Sequence, residues 1–197
     1  MSAPLRFPPA EVFIETGYGS GETLADVVQG SYQRIHSVEI NPEVAAHARQ
    51  RWAHLPNVEI HVGSSPRVLK QLCDPDRDTV FWLDAHYSGG AYVHDAVPVL
   101  DSEYGQCPLL AELAVIRAIA WRVQPTIFID DVRHFTEPEK CGVDRAQFPT
   151  LEEIEQALPN GYRIEIKRQW WPRQALSNFH PRHFGRQRYL QCSARTS

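Results

Sequence analysis

The stretch Glu11–Gly21, EVFIETGYGSG, constrains the fold of this chain more than any other segment. It begins with β-favouring apolar residues, meets an acid at Glu15 and continues into GETLADVV, which has the pattern of a helix. Between the two lie glycines at alternate positions: Gly17, Gly19 and Gly21. Alternating glycines let the backbone adopt conformations closed to other residues and let a ligand approach the main-chain N–H groups. The stretch predicts a buried strand, a glycine turn and a helix N-terminus beneath a ligand.

The rest of the chain repeats this alternation of strand and helix. Asn41 and Pro42 have the residue types of a helix N-cap and first turn, so a helix should follow the second strand directly. Two strand-like runs, YRIEIKRQWW and RQRYLQC, follow the fifth unit. We therefore expect an α/β fold, with a mostly parallel seven-stranded sheet, helices on both faces and an antiparallel C-terminal strand pair. The first strand is predicted at the apolar run Val12–Ile14, before Glu15, and the next four at Ile35–Ile40, Val58–Gly63, Asp78–Asp84 and Pro125–Asp131.

Length and composition set broad limits on partners. A chain of 197 residues predicts one domain, spanning 1–197. The net charge of −4 does not suggest a polyanion-binding surface, although a local basic patch could survive this average, so no nucleic-acid partner is expected. The N-terminus lacks the pattern of a signal peptide, and no apolar run approaches the roughly 20 residues that span a bilayer. We expect a cytoplasmic protein without a membrane partner, whose four dispersed cysteines form no zinc motif.

Polar residues recur where the predicted strands end. In open α/β sheets, ligands bind outside the carboxyl ends of the strands, near the point where the strand order reverses. Five strand ends should therefore converge on one crevice. They carry Glu15–Gly21, Glu39, Gly63–Ser65, Asp84 and Asp130–Asp131.

The glycine turn followed by Glu39 resembles the signature of class I S-adenosylmethionine-dependent methyltransferases. The resemblance implies a Rossmann-like methyltransferase fold, with Glu39 and Ile40 at the ribose and Gly63, Ser64 and Ser65 beside the adenine. A nicotinamide-binding turn would need G-x-G-x-x-G, whereas the third glycine here comes one position early. A nicotinamide enzyme, an aminopropyl transferase and a fold without activity remain the alternatives. The other cofactor-binding residues implied are Glu15, Thr16, Gly17, Tyr18, Gly19, Gly21 and Asp84.

Three aspartates, Asp84, Asp130 and Asp131, should meet at the ends of the fourth and fifth strands. Carboxylates crowded together raise one another's pKa unless a cation neutralises them, and magnesium with oxygen ligands would do so. The arrangement is similar to that of metal-dependent macrolide-sugar-type O-methyltransferases, which implies a metal site made of these three residues. His86 departs from that pattern and is open as a ligand, a base or a pocket wall. The candidate catalytic residues are His86, His134 and Asp84.

The predicted function is S-adenosylmethionine-dependent O-methylation of a small hydroxylated acceptor, with magnesium as a second cofactor. The alternative is a non-catalytic protein that binds a cofactor or a partner. The irregular segment from Ala85 to Cys107 is rich in groups that could cover an acceptor, and a C-terminal aromatic and basic group could form a further wall or an oligomer contact. A homodimer is one option for the oligomeric state. These residues are Tyr87, Tyr92, His94, Asp95, Asp101, Glu103 and Tyr104, then Trp170, Trp171, His180, Arg182, His183 and Arg186.

Overall fold

The structure is a computed structural model that describes residues 7–87, 99–169 and 187–194. Its centre is one seven-stranded sheet in the order β3-β2-β1-β4-β5-β7-β6. The first five strands run parallel, and β7 lies antiparallel between β5 and β6, which confirms the predicted sheet. The strands are β1 Val12–Thr16, β2 Arg34–Glu39, β3 Val58–Val62, β4 Thr79–Leu83, β5 Thr126–Ile129, β6 Tyr162–Gln169 and β7 Gln187–Ala194.

Helices cover both faces of this sheet. Apolar residues of α1 and α2 join the core on one face, and those of α3 to α6 join the core on the other. Every residue of β1 and of β4 is buried, as expected for strands that are covered on both sides. The helices are α1 Glu22–Val27, α2 Pro42–Trp52, α3 Ser65–Leu72, α4 Leu109–Ala118, α5 Val132–Thr136 and α6 Leu151–Ala157, with 3-10 turns at Pro138–Lys140 and Arg145–Gln147.

Local sequence signals place two helix starts where they were expected. The Asn41 side chain accepts hydrogen bonds from the N–H groups of Glu43, at 2.9 Å, and of Val44, at 3.5 Å. Pro42 occupies the first turn of α2, where its missing N–H costs nothing. Thr150 and Glu153 form a reciprocal capping box at the start of α6.

Two elements differ from the sequence-based expectation. The apolar run 108–123 predicts one continuous helix, but α4 ends at Ala118, and the backbone of Ile119 after it is extended. The indole N–H of Trp121 donates to the carbonyl of Ile116, at 2.8 Å, and this carbonyl also accepts the backbone N–H of Ile119, at 3.3 Å. The segment 132–150 reads as irregular in sequence, yet it begins with the short helix α5.

The strand order reverses between β1 and β4, which are hydrogen-bonded neighbours. The backbone joins the two segments that follow these strands, because the N–H of Asp84 donates to the carbonyl of Thr16 at 3.0 Å. The turn after β1 is likewise tied to β2 by a 2.8 Å bond from the Gly17 N–H to the Val38 carbonyl. These bonds bring the ends of three strands to one crevice. Among the described helices, none has the length and apolar character needed to cross a membrane.

Candidate active site

The glycine turn after β1 forms one wall of the crevice. Gly17 has φ of 80°, and a Cβ there would lie 2.2 Å from the backbone oxygen of Asp84, so only glycine lets the two segments approach this closely. Gly19 has φ of 53°, and nothing lies within 4 Å of the position that its Cβ would take. The turn is therefore closed against β4 at Gly17 and open at Gly19, where a ligand has room.

Glu39, at the end of β2, faces this turn. Its carboxylate accepts hydrogen bonds from the N–H of Gly19, at 3.1 Å, and from the N–H of Asn41, at 2.8 Å. Burial raises the pKa of Glu39, while these two N–H groups act in the opposite direction. A carboxylate oriented in this way keeps unused lone pairs. It is suited to accepting hydrogen bonds from the two hydroxyl groups of a ribose.

The predicted adenine-side residues lie beside Glu39. The N–H of Gly63 donates to the Glu39 carbonyl at 3.0 Å, which holds the end of β3 against the end of β2. Ser64 is the N-cap residue of α3, Ser65 is buried, and Ile40 is half-buried at the end of β2. The structure therefore brings these residues to the same side of the crevice as the glycine turn.

Glu15, Thr16 and Tyr18 lie beneath the turn and not on its surface. They are between 0% and 3% exposed, so they support the turn, whereas the resemblance implies that they belong to the cofactor site. The Tyr18 hydroxyl accepts a 3.1 Å hydrogen bond from the Trp52 indole. Burial raises the pKa of Glu15 to about 8, although the Ser37 hydroxyl that donates to its carboxylate opposes the rise.

The opposite wall of the crevice carries three side chains that we call the crevice cluster: His86, Asp131 and His134. The Nδ1 atom of His134 lies 3.0 Å from Nε2 of His86. The Oδ2 atom of Asp131 lies 3.5 Å from the former nitrogen and 3.7 Å from the latter. His86 follows β4, while Asp131 and His134 belong to the start of α5, so the parallel pairing of β4 with β5 brings the three together.

The pKa of Asp131 is shifted in the opposite direction from those of the two nearby aspartates, Asp84 and Asp130. Burial alone would raise its pKa, but the imidazoles of His86 and His134 and the charge of Arg133 outweigh that and hold the pKa at about 2. Burial and neighbouring carboxylates instead raise the pKa of Asp84 and Asp130 well above the ordinary value. Asp131 also has φ of 49°, a left-handed conformation that no other described non-glycine residue adopts. Such strained residues are frequent at functional sites.

The crevice cluster has the dimensions of a metal site. A triangle with sides of 3.0, 3.5 and 3.7 Å has a circumradius of about 2.0 Å, close to the bond length between zinc and imidazole nitrogen. Two imidazoles with one carboxylate suit a transition metal better than magnesium, which favours oxygen ligands. Asp84 and Asp130 do not join this group of mutually close ligand atoms, so the three-aspartate magnesium site stays a prediction.

Two further polar side chains, Glu112 and Asp130, border the site. The sequence-based prediction did not include Glu112. Glu112 of α4 is 1% exposed, burial raises its pKa, and its Oε1 atom has no hydrogen-bond partner within the described parts of the chain. An acid inside the apolar stripe of Leu109, Leu113 and Ile116 is a readable signal of such a group. Asp130 is similarly buried, with an unpartnered Oδ1 atom in the same described ranges.

The candidate acceptor loop is described only in part. Tyr87 is tied back by its N–H to the Gln106 carbonyl at 2.7 Å, and Asp101 closes a turn by accepting from the N–H groups of Glu103 and Tyr104. Arg67 of α3 forms an ion pair with Glu103 at 2.5 Å. The remaining predicted residues of both candidate walls lie outside the described residues: Tyr92, His94, Asp95, Trp170, Trp171, His180, Arg182, His183 and Arg186.

Comparisons with known proteins agree with this architecture. No protein-family model matches the chain, and no curated protein matches its sequence. Among solved structures, a spermidine synthase from Thermotoga maritima is similar with a TM-score of 0.59 at 14% identity, over 96% of this chain and 55% of that one. An O-methyltransferase from Bacillus cereus in complex with SAH has a TM-score of 0.58 at 14% identity, over 94% and 74%.

A 23S rRNA methyltransferase is also similar, with a TM-score of 0.56 at 13% identity, over 96% of this chain and 63% of that one. The chain thus spans little more than half the length of the spermidine synthase and under two thirds of the rRNA enzyme. At these identities the likeness concerns the fold. The chain has the Rossmann-like fold of class I S-adenosylmethionine-dependent methyltransferases, as its glycine turn and Glu39 predict.

Proposed function

We propose that this protein is an S-adenosylmethionine-dependent methyltransferase that methylates an oxygen of a small hydroxylated molecule. The observation that carries the proposal is the direct hydrogen bond between the open glycine turn, at Gly19, and the buried ribose-type acid, Glu39. The crevice cluster on the opposite wall supports an acceptor site there. Similar folds crystallised with SAH support the choice of cofactor.

On the donor side, Glu39 would hold the ribose hydroxyls and the turn from Gly17 to Gly21 would hold the amino-acid end. Bound S-adenosylmethionine supplies a methyl group on a cationic sulfonium. Glu15, whose pKa of about 8 leaves it largely protonated at neutral pH, can ionise when a cation binds above it. These residues bind and orient the donor, and positioning of two bound reactants is a major source of rate in such reactions.

On the acceptor side, His86, Asp131 and His134 would hold a divalent transition metal. The charge of that ion would favour ionised Asp84, whose raised pKa makes its carboxylate the stronger base, and Asp84 would accept the proton. A metal held there lowers the pKa of a hydroxyl group beside it. The Oδ1 atom of Asp84 lies 3.7 Å from Nε2 of His86, and its side chain is 29% exposed, so this carboxylate faces the same space. In the transfer, the carbon–sulfur bond breaks as the carbon–oxygen bond forms, and the acceptor hydroxyl proton passes to Asp84.

Isothermal titration with S-adenosylmethionine and with S-adenosylhomocysteine tests the donor site. Both should bind with one-to-one stoichiometry, and Glu39→Ala should weaken binding by about 100-fold, since two hydrogen bonds to a charged group are lost. Glu39→Gln keeps one acceptor oxygen, so its affinity should lie between that of the wild type and that of Glu39→Ala. The exposed Glu22→Ala is the matched control and should leave the affinity unchanged. Absence of saturable binding to the wild type would reject the proposal.

The reaction class is tested by product analysis with phenolic and polyhydroxylated acceptors. S-adenosylhomocysteine is the expected product, and Asp84→Asn should abolish its formation even at cofactor concentrations that saturate the variant. A product of 5′-methylthioadenosine with a polyamine acceptor would instead indicate aminopropyl transfer, as the similarity to a spermidine synthase allows. Methyl incorporation into RNA would replace the small-molecule acceptor with a nucleic acid.

A further inference from the structure

A second group of histidines and an acid lies on one face of the β2–β3 edge of the sheet. We call it the edge cluster: His36, Glu59 and His61. His36 and Glu59 are directly paired across the two strands, and His61 follows Glu59 by two residues, so all three side chains project from the same face. The cluster lies within the sheet, before the strand ends that form the crevice, and the proposed methyl transfer makes no use of it.

The three side chains converge closely. The Nδ1 atom of His36 lies 3.0 Å from Nε2 of His61, and Oε2 of Glu59 lies 3.6 Å from the first nitrogen and 3.9 Å from the second. A triangle with these sides has a circumradius of about 2.1 Å, which falls within the range of zinc bonds to imidazole nitrogen and carboxylate oxygen. One ion could therefore contact all three atoms with little movement of the backbone.

The surroundings leave room for the other ligands that a metal needs. A surface cavity of about 370 Å³ is lined by His36 and Glu59 together with Gln33, Arg34, Pro56 and Asn57. The imidazoles are mostly enclosed, with side chains 13% and 19% exposed, whereas Glu59 is 66% exposed. Enclosed imidazoles reduce the conformational entropy lost on binding, and the open side admits water as a fourth ligand.

We propose that the edge cluster is a second metal site, which takes a divalent ion of the zinc class. Two imidazoles and one carboxylate are the donor set that zinc, cobalt and nickel share, and the donors are too nitrogen-rich for magnesium or calcium. The metal would cross-link β2 to β3 just before Glu39 and Gly63. Its role is to brace the strand pair that carries the adenosine side of the crevice.

Nearby positive charge sets the strength of this site. Arg34 projects from the same face as His36, two residues earlier on β2. Arg49 of α2 lies near His61 and is held in place by hydrogen bonds from its guanidinium to the Ile60 carbonyl, at 2.9 and 3.1 Å. Both cations repel a metal, so the edge cluster binds more weakly than the acid-rich crevice cluster.

Metal counting tests the proposal. Chelator-treated protein is titrated at pH 7.5 with Co²⁺, followed by visible absorbance, and with Zn²⁺, followed by calorimetry. The wild type should bind two equivalents. The double variant His36→Ala/His61→Ala should bind only the equivalent at the crevice cluster. The double variant His86→Ala/His134→Ala should bind only the equivalent at the edge cluster. The exposed pair His47→Ala/His54→Ala is the matched control and should retain both equivalents.

A variant that preserves packing is needed as well, because the histidine variants could lose metal binding simply by unfolding. Glu59→Gln changes an exposed side chain, so it should keep the circular dichroism of the wild type and weaken the second equivalent by about tenfold. Retention of two equivalents by His36→Ala/His61→Ala would overturn the proposal, since the histidines would then form only a hydrogen-bonded pair. Loss of the second equivalent in His47→Ala/His54→Ala would also overturn it. The deciding readout is the difference of one equivalent between the wild type and His36→Ala/His61→Ala. If the crevice held no metal, both counts would fall by one and this difference would remain, so failure of the proposed function is distinguishable from failure of the edge cluster.

Discussion

The crevice cluster and the edge cluster present the same three donors at similar spacings in opposite electrostatic surroundings. In each, two imidazole nitrogens lie 3.0 Å apart, and a carboxylate oxygen lies between 3.5 and 3.9 Å from both. The carboxylates of Asp84 and Asp130 lie beside the crevice cluster and outnumber its one nearby cation, Arg133, whereas two cations, Arg34 and Arg49, flank the edge cluster. The comparison teaches that a local ligand set defines which metal fits, while the surrounding charge defines how strongly it is held.

Burial adds a second difference. The imidazoles of His86 and His134 are 4% and 6% exposed, and those of His36 and His61 are 13% and 19% exposed. A less hydrated site strengthens every electrostatic interaction within it. These differences agree with the proposal that the crevice cluster serves chemistry and the edge cluster is a structural brace.

The largest expected effect comes from removal of the crevice ligands. His86→Ala/His134→Ala should raise the dissociation constant of the tighter Zn²⁺ equivalent by roughly 10⁴-fold, about 5.5 kcal/mol, because two of its three donors are lost. Competition with a zinc-binding dye measures this change. The edge variant His36→Ala/His61→Ala should leave the tighter equivalent within threefold, and an equal loss in both variants would break the comparison.

The burial of Glu15 beneath the crevice should also affect how the stability of the protein depends on pH. Because the folded-state pKa of Glu15 is raised to about 8 from an ordinary 4.5, the folded state binds a proton that the unfolded state releases between these values. The free energy of unfolding therefore falls as pH rises through this window, by at most about 5 kcal/mol. Urea unfolding at pH 5 and pH 8 measures the fall. Glu15→Gln should reduce it, with the remainder due to the raised pKa values of Asp84 and Asp130, and Glu59→Gln should leave it unchanged.

A smaller effect should come from Arg34. Arg34→Gln should tighten Zn²⁺ binding at the edge cluster by about fivefold, because it removes one of two repelling cations. Arg49 is unsuitable for this test, since its guanidinium also bonds the Ile60 carbonyl. Calorimetry at two salt concentrations supplies the check: the gain should shrink in high salt, where surface charges are screened. A gain that salt does not change would assign the effect to packing.

The smallest effect concerns coupling between the edge cluster and the cofactor. Saturating Zn²⁺ at the edge cluster should tighten S-adenosylhomocysteine binding by about two- to threefold, because the metal orders the strands that carry Glu39 and Gly63. The measurement is made in His86→Ala/His134→Ala, where the crevice holds no metal. By linkage, S-adenosylhomocysteine should tighten Zn²⁺ binding by the same factor, and a factor of one in both titrations would contradict the predicted coupling.

Much of the fold followed from local sequence signals. Apolar runs, the Asn41–Pro42 helix start and the glycine turn predicted the strands and the parallel sheet, because each depends on residues close in sequence. The irregular reading of 132–150 missed α5, which has only five residues and lacks a side-chain cap. Its formation depends on packing of Val132 and Phe135 against the core, which local propensity does not encode.

The candidate site also has one part that the sequence predicted and another that only the tertiary structure revealed. The sequence alone determined where the candidate donor half lies, since the glycines and Glu39 lie at predictable strand ends, while their roles in cofactor binding stay predictions. It also pointed to Asp131, His86 and His134 as separate candidates. Only the tertiary structure decided that Asp131 joins two imidazoles, with Asp84 and Asp130 outside that group, and that His36, Glu59 and His61 meet at the sheet edge. The physical reason is that strand register, helix packing and side-chain direction, which set distances of a few ångströms between residues far apart in sequence, arise from the whole fold.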